Sequence, residues 1–400
     1  MPQSALTNLF RVKGGHNEHK VSFSELFFDL VFVYAITQTA HLLINHFTPY
    51  GAFQSLLILM AVWWAWVFTT WVTNWLDPET VPVRLMLFAL MLLAMVASIA
   101  IPKAFGEHGL LFACAYITLQ LGRTIFMCLS SRKAAPQLHN DFLRMTLWFA
   151  LAAIFWIIGA VQEGETRTLW WALALTVEYL SASLSFYVPG MGRSDSRKWN
   201  ISGAHMAERC GLLIIIALGE SLLVTGNTFS HTDWSVATTT AFISAFIATV
   251  AMWWIYFSLS AERASHRITN SETSGHMGRL VYTYVHFLII ASIVIVAAAD
   301  EFILAHATGH IGTATLVAAI GGPALYLVAN ILFKTLIFNS HPLSHYVGLS
   351  LLAALIPLSS FISPVILAIL TTSVLVLVAT WETVVVIRNE SNSDDAERAN

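Results

Sequence analysis

Charge is what this 400-residue sequence has least of: Asp, Glu, Lys and Arg together make up 11% of it, against roughly 25% in a soluble globular chain. That scarcity excludes an ordinary soluble domain with a solvated shell. The formal net charge of -3 excludes the basic surface that nucleic acid requires, so no nucleic-acid partner is expected. Cysteine is equally thin. Cys114, Cys128 and Cys210 lie inside or at the edge of apolar runs, which argues against a disulfide framework and reads as small reduced core residues. No Gly-x-x-x-x-Gly-Lys-Ser/Thr loop occurs, so ATP drive would need another subunit. No Ser/His/Asp grouping and no convincing metal set stands out; neither a cofactor nor a metal is predicted, and enzymatic activity is the less favoured class.

What is abundant is apolar sequence, 57% of the chain. It falls in about a dozen runs of roughly 18 to 26 residues, each enough to cross about 30 Å of hydrocarbon. The expected fold is an all-α polytopic membrane protein of about twelve transmembrane helices. The spans are placed at approximately 21–44, 51–76, 83–101, 109–130, 141–161, 168–188, 203–227, 235–261, 279–300, 314–338, 344–362 and 364–388. Turn residues such as Asp77-Pro78, Pro189-Gly190 and Ser340-His341-Pro342 fall between them. The basic residues gather in alternate loops, with Lys103 and Arg167 the exceptions, which predicts cytoplasmic termini at both ends.

An internal echo divides the chain. Ser22-x-x-Glu25 aligns with His205-x-x-Glu208, Trp63-Trp64 with Trp253-Trp254, and Arg84-Leu85 with Arg279-Leu280. Tyr116-x-x-x-Gln120 with Arg123-Thr124 matches Tyr326-x-x-x-Asn330 with Lys334-Thr335, and Glu178 has a counterpart in Glu382. The same order in both halves predicts two parallel six-helix repeats, at 21–189 and 201–388. They are flanked by a cytoplasmic segment 1–20, a basic cytoplasmic link 190–200 and a disordered acidic tail 389–400. Parallel repeats belong to one group of secondary transporters, where the substrate path runs between the halves.

The run Glu25 to Val33, ELFFDLVFV, the Trp-rich stretch Trp63 to Asp77, and His205-x-x-Glu208-Arg209-Cys210 leading to Ala217-Leu218-Gly219-Glu220-Ser221 resemble the bacterial low temperature requirement protein A (LtrA) family. The likeness extends over roughly residues 21–387. It implies a bacterial inner-membrane protein linked by name to growth in the cold, and it carries no settled biochemical activity.

The chemistry to be explained is acid inside apolar helices. Ser22 and Glu25 have the spacing of a capping box, and Glu208 with His205 is read as its echo at the start of the seventh span. Asp29 lies one turn deeper, where an unpaired charge near the centre costs roughly 2.5 to 3.5 kcal/mol. Glu220 is flanked by Gly219 and Ser221 about halfway into its span. It stands some 16 Å along the helix from Arg209, too far for the two to pair. For Asp29 and Glu220 two readings stand open: a permanent buried salt bridge, or a carboxylate that exchanges a proton or binds a cation. Glu178 and Glu382 are weaker candidates of the same kind. Arg123, Lys334 and Arg209 are the expected charge partners, with the bases of spans four and ten facing the acids of spans one and seven. The aromatic residues of spans two and eight read mainly as packing and interface anchors. The leading expectation is a secondary transporter or permease for a small solute, lipid or ion, coupled to protons through Glu220 and Asp29, with membrane lipid as its surroundings. The alternatives are a membrane-embedded lipid-handling enzyme and a sensor or assembly protein.

Overall fold

The structure is a computed structural model that describes residues 9–11, 20–195, 199, 201–257 and 279–398, without the side chains of Arg279, Val386 and residues 389–398. Among these residues every long element is a helix, in the order α1 (Phe23–Asn45), α2 (Pro49–Trp75), α3 (Val81–Ala100), α4 (Gly109–Ala134), α5 (Pro136–Ala160), α6 (Gly164–Ser183), α7 (Gly203–Ser230), α8 (Val236–Phe257), α9 (His286–Ala305), α10 (Thr313–Phe338), α11 (Leu343–Leu358) and α12 (Pro364–Arg398). A short π-helical segment, Arg279–Val285, leads into α9. Eleven of the twelve are long and apolar enough to cross a membrane. α6 falls short by composition, because Glu165, Arg167 and Glu178 lie within its 20 residues. Leu92, Leu129, Leu169 and Leu223 are exposed along the helices, the reverse of a water-soluble surface and the solvation expected of a multi-pass membrane protein.

Local chemistry places the helix ends. Thr48 caps α2 through its side chain and Pro49 opens it, while Pro136 and Pro364 open α5 and α12. Between α11 and α12 the chain turns in one short 3₁₀ segment, Ser359–Phe361. α12 has no Gly or Pro after its first residue and continues to Arg398, through the acidic segment for which composition predicts disorder. Arg167, expected in an outer loop, is instead buried. It donates to the carbonyls of Ala104, Gly106, Ala160 and Gln162, satisfying helix-end acceptors that lack an intrahelical partner. Cys128 and Cys210 are buried, but Cys114 is exposed on α4, which corrects its assignment to the core.

The chain forms two compact units, Met1–Leu213 with Ser271–Arg279, and Ile214–Asn270 with Leu280–Asn400. The division falls inside α7 and not at the 190–200 link, because the start of α7 is tied into the first unit by buried polar bonds. Trp199 contributes: it donates to Asp141 at 3.0 Å and meets Trp71 and Trp75 edge-on. In the first unit α2 is the central helix, with 89% of its apolar span buried. Around it α3 packs on α4, α4 on α5, α5 on α6, and α2 on α6. In the second unit the corresponding pairs are also neighbours: α9 with α10, α10 with α11, α11 with α12, and α8 with α12. The aromatic echo is not equivalent in environment. Trp63 and Trp64 are buried, whereas Trp253 and Trp254 are about two-fifths exposed (41% and 43%).

Candidate functional site

The first unit is organised around one arginine. Ser22 caps α1, accepting from the Glu25 amide at 3.3 Å, while Glu25 Oε2 accepts from the Ser22 amide at 2.9 Å; the expected capping box is present. At α7 the equivalent residue is Ser202, which precedes Gly203 and whose hydroxyl accepts from the His205 amide. Counted from these two residues, Glu25 and His205 are both third, and Asp29 and Arg209 are both seventh. This register corrects the echo read from the sequence by three residues. Glu208 does not play the part of Glu25; it is exposed and accepts from the Val21 amide at 3.3 Å. His205 plays that part instead.

The matching positions bind one another. Arg209 reaches Asp29 in a fork, Nε to Oδ2 at 3.0 Å and Nη2 to Oδ1, and its Nη1 donates to Glu25 Oε1 at 2.9 Å and Thr73 Oγ1 at 3.2 Å. His205 Nδ1 lies 3.2 Å from the Asn74 amide nitrogen, and its Nε2 lies 2.9 Å from Glu25 Oε1 and 3.1 Å from Arg11 Nη2. Arg11 closes the cluster from outside, donating to Glu25 Oε2 at 3.0 Å and to the Thr73 carbonyl. It is placed by backbone bonds that the 9–11 segment makes with the end of α2. Trp66 donates its indole N–H to Asp29 Oδ1 at 2.7 Å. The Phe28 and Trp66 rings flank the guanidinium at 6.0 and 5.8 Å. Glu25, Asp29, His205 and Arg209 are all at 0% exposure. The arrangement is a fully buried clamp in which each acid meets a guanidinium.

Glu178 on α6 is bound differently. Its Oε2 accepts from Tyr116 Oη at 2.6 Å and Gln120 Nε2 at 3.4 Å, and its Oε1 from Trp156 Nε1 at 2.9 Å. All three donors are neutral. Arg123, one turn beyond Gln120 on α4, does not touch it; Nη1 instead donates to the Ala65 carbonyl and Thr69 Oγ1 of α2. Phe68 and Phe149 lie 5.4 and 5.8 Å from that guanidinium. Its Nε and Nη2 are buried with no hydrogen-bond partner.

In the second unit Lys334 of α10 is ion-paired with Glu382 of α12, and His345 of α11 stands 3.4 Å from the same carboxylate oxygen. The other oxygen, Oε2, has no partner. His345 is a member that the sequence reading missed. Tyr326 donates to the Met252 carbonyl and Asn330 to the Tyr326 carbonyl, so the Tyr-x-x-x-Asn motif serves packing here and does not hold an acid. Glu220 belongs to the second-unit part of α7 and is half-buried. The expected pairing of α4 and α10 bases with α1 and α7 acids is therefore corrected: Asp29 takes Arg209, Lys334 takes Glu382, and Arg123 takes a backbone carbonyl. Among the described residues no group of three or more His, Cys, Asp or Glu is arranged to hold a metal ion.

Helices of this length and apolarity define a polytopic α-helical membrane protein. Its residues 20–380 match the family described as Bacterial low temperature requirement A protein (LtrA), and the chain belongs to that family. It is similar to an uncharacterized protein of Rhizobium meliloti (strain 1021), 38% identical over 372 residues, covering 92% of this chain and 90% of that protein. No solved structure matches it.

Proposed function

We propose that the protein is a proton-coupled secondary transporter or permease of the bacterial inner membrane, moving a small solute, lipid or ion. The observation that carries this reading is Glu178. A carboxylate held only by neutral donors can take up a proton with little rearrangement. The Tyr116 hydroxyl turns from donor to acceptor, and the Trp156 and Gln120 bonds fall on oxygens that still have lone pairs. Asp29 has no such freedom, because protonation would strip a charge-assisted fork from Arg209. Glu382, with Lys334 and His345, is the second-unit counterpart. Glu220, half-buried on α7, remains a coupling candidate, and Arg123 with its unpartnered N–H groups is the cation nearest in sequence to the Glu178 cage.

Support for the architecture comes from the matching neighbour pairs of the two halves, as expected of parallel six-helix repeats. With α6 counted as a span despite its charged residues the helices number twelve, and that even count with the placement of basic loops supports cytoplasmic termini.

The test is reconstitution in liposomes with an internal pH-sensitive dye and a panel of organic and inorganic solutes. Solute-dependent proton movement is expected for the wild type and is expected to be lost in Glu178→Gln with its thermal stability retained. Movement unchanged in Glu178→Gln, Glu382→Gln and Glu220→Gln would sink the site assignment, and absence of any solute-coupled movement in the wild type would sink the transport reading.

A further inference from the structure

The second unit contains an acid that the charge clusters above do not use. Asp300 sits on α9 five residues before its end, about 8 Å along the helix at 1.5 Å per residue. Its Oδ2 is buried and has no hydrogen-bond partner. No Lys, Arg or His lines the space around it. That space is a small cavity of about 20 Å³ among α8, α9, α10 and α12, whose walls include Asp300, Ala319, Pro323, Thr371 and Thr372. About 10 to 15 Å³ on this measure suffices for one water, so the cavity admits a single particle of that size.

The rest of the wall is mostly apolar, with Ala245, Ala248, Val296 and Leu375 among its residues, and the few polar groups that face Asp300's space are oxygen acceptors. Thr371 spends its hydroxyl proton on the Leu367 and Ala368 carbonyls, and Thr372 spends its own on the Ser244 carbonyl at 3.2 Å. Each oxygen keeps lone pairs but has no proton left to give Asp300. Pro323 lies inside α10 and has no N–H, so the Ala319 carbonyl one turn earlier loses its intrahelical donor. Such broken helical carbonyls inside membrane proteins face cavities or ions. A carboxylate, two hydroxyl oxygens and a freed carbonyl, with no donor among them, suit a hard cation. One carboxylate balances one positive charge. A divalent ion would leave a net charge buried, and Mg²⁺ would not fit with the waters that it retains.

We infer that the Asp300 cavity of the second unit is a binding site for one small monovalent metal cation, sodium being the probe of choice, with Thr371, Thr372 and the Ala319 carbonyl as further oxygen ligands. The inference concerns equilibrium binding and stands whether or not the protein transports.

The experiment is retention of radioactive sodium by the purified full-length protein in detergent at alkaline pH, with lithium, potassium and choline as competitors. Saturable binding displaced by another alkali ion but not by choline is expected. Asp300→Asn is expected to weaken it at least about tenfold, equivalent to about 1.4 kcal/mol, and Thr371→Val to weaken it measurably. Should Asp300→Asn fail to fold, Thr371→Val with Thr372→Val decides: weaker sodium retention supports the site and unchanged retention overturns it. No saturable retention by the wild type, or retention indifferent to Asp300→Asn, overturns it as well. Stabilisation by acid alone with no sodium retention would mark a proton site and likewise overturn it.

Discussion

Replacing Arg209 with Met removes the one cation shared by Glu25 and Asp29 while keeping most of the side-chain volume. The two acids are not left equally exposed to the loss. Glu25 keeps Arg11, His205 and the Ser22 amide, whereas Asp29 keeps only the Trp66 indole. Asp29 therefore becomes a buried charge without a counter-ion, a class of change that costs about 3–5 kcal/mol. For a unit of this size each kcal/mol lowers the melting temperature by about 2–4 °C, so a fall of about 6–20 °C is expected. The assay is thermal unfolding in mild detergent followed by tryptophan fluorescence, with Trp66 among the reporters. The companion variant is Arg209→Met with Asp29→Leu, which removes both halves of the fork. It is expected to recover more than half of the loss and to give a coupling energy of at least about 2 kcal/mol, near the top of the range for residues in contact. A fall of less than about 3 °C in the single variant, or additive losses in the double, would refute the account of the clamp.

Three contrasts extend it. Trp66→Phe deletes one donor to Asp29 but leaves the arginine fork, so a loss of about 2 kcal/mol is expected by the same unfolding assay; an unchanged melting point would show that the indole bond contributes nothing. Arg123→Met is expected to be nearly neutral, within about 1 kcal/mol, because it removes a buried cation with two unsatisfied N–H groups and replaces it by an apolar chain between Phe68 and Phe149. A loss as large as that of Arg209→Met would mean that Arg123 has a structural partner. Lys334→Met leaves Glu382 with His345 alone and is expected to cost about 3–5 kcal/mol. Restoration by the added change Glu382→Met is the outcome to look for, and failure of the second change to restore any stability contradicts a direct pair.

The sequence carried the class of fold clearly, since runs of apolar residues at membrane length and turns at Pro and Gly are local signals. α1 begins where Ser22 and Glu25 place it, and α12 separates from α11 at Pro364 despite the short connection. Pairing is a tertiary property and was legible only in part. Asp29 and Arg209 could each be recognised as needing a partner, but nothing in one chain says which buried base faces which buried acid across 180 residues. The echo between the two helix starts held the answer in the wrong register: matching Glu25 with Glu208 follows residue identity, whereas the contact joins Glu25 to His205 as unlike residues at like positions. Asp300 escaped notice because its run was expected to end there, which would have put the acid at the interface; the helix continues to Ala305. His345 gave no signal beyond being a histidine near the start of a span.

The three kinds of acid inside the bundle differ in what protonation would disturb, and that difference orders them by function. Neutralising Asp29 would remove the charge assistance from the Arg209 fork and leave Glu25 as the guanidinium's one charged partner, so the clamp resists it and ties the start of α7 to α1 and α2. Neutralising Glu178 costs one turn of a tyrosine hydroxyl. Neutralising Asp300 would place a proton among acceptors only, where the Thr371 and Thr372 oxygens can receive it as readily as they can face a cation. A helix bundle that used all its acids for cohesion would have placed a base beside each. Here the bases stand at Asp29 and Glu382, while Glu178 is buried and Asp300 half-buried with none in contact, and the energetic cost of keeping them so inside hydrocarbon is the physical reason to look for exchange at those two positions first.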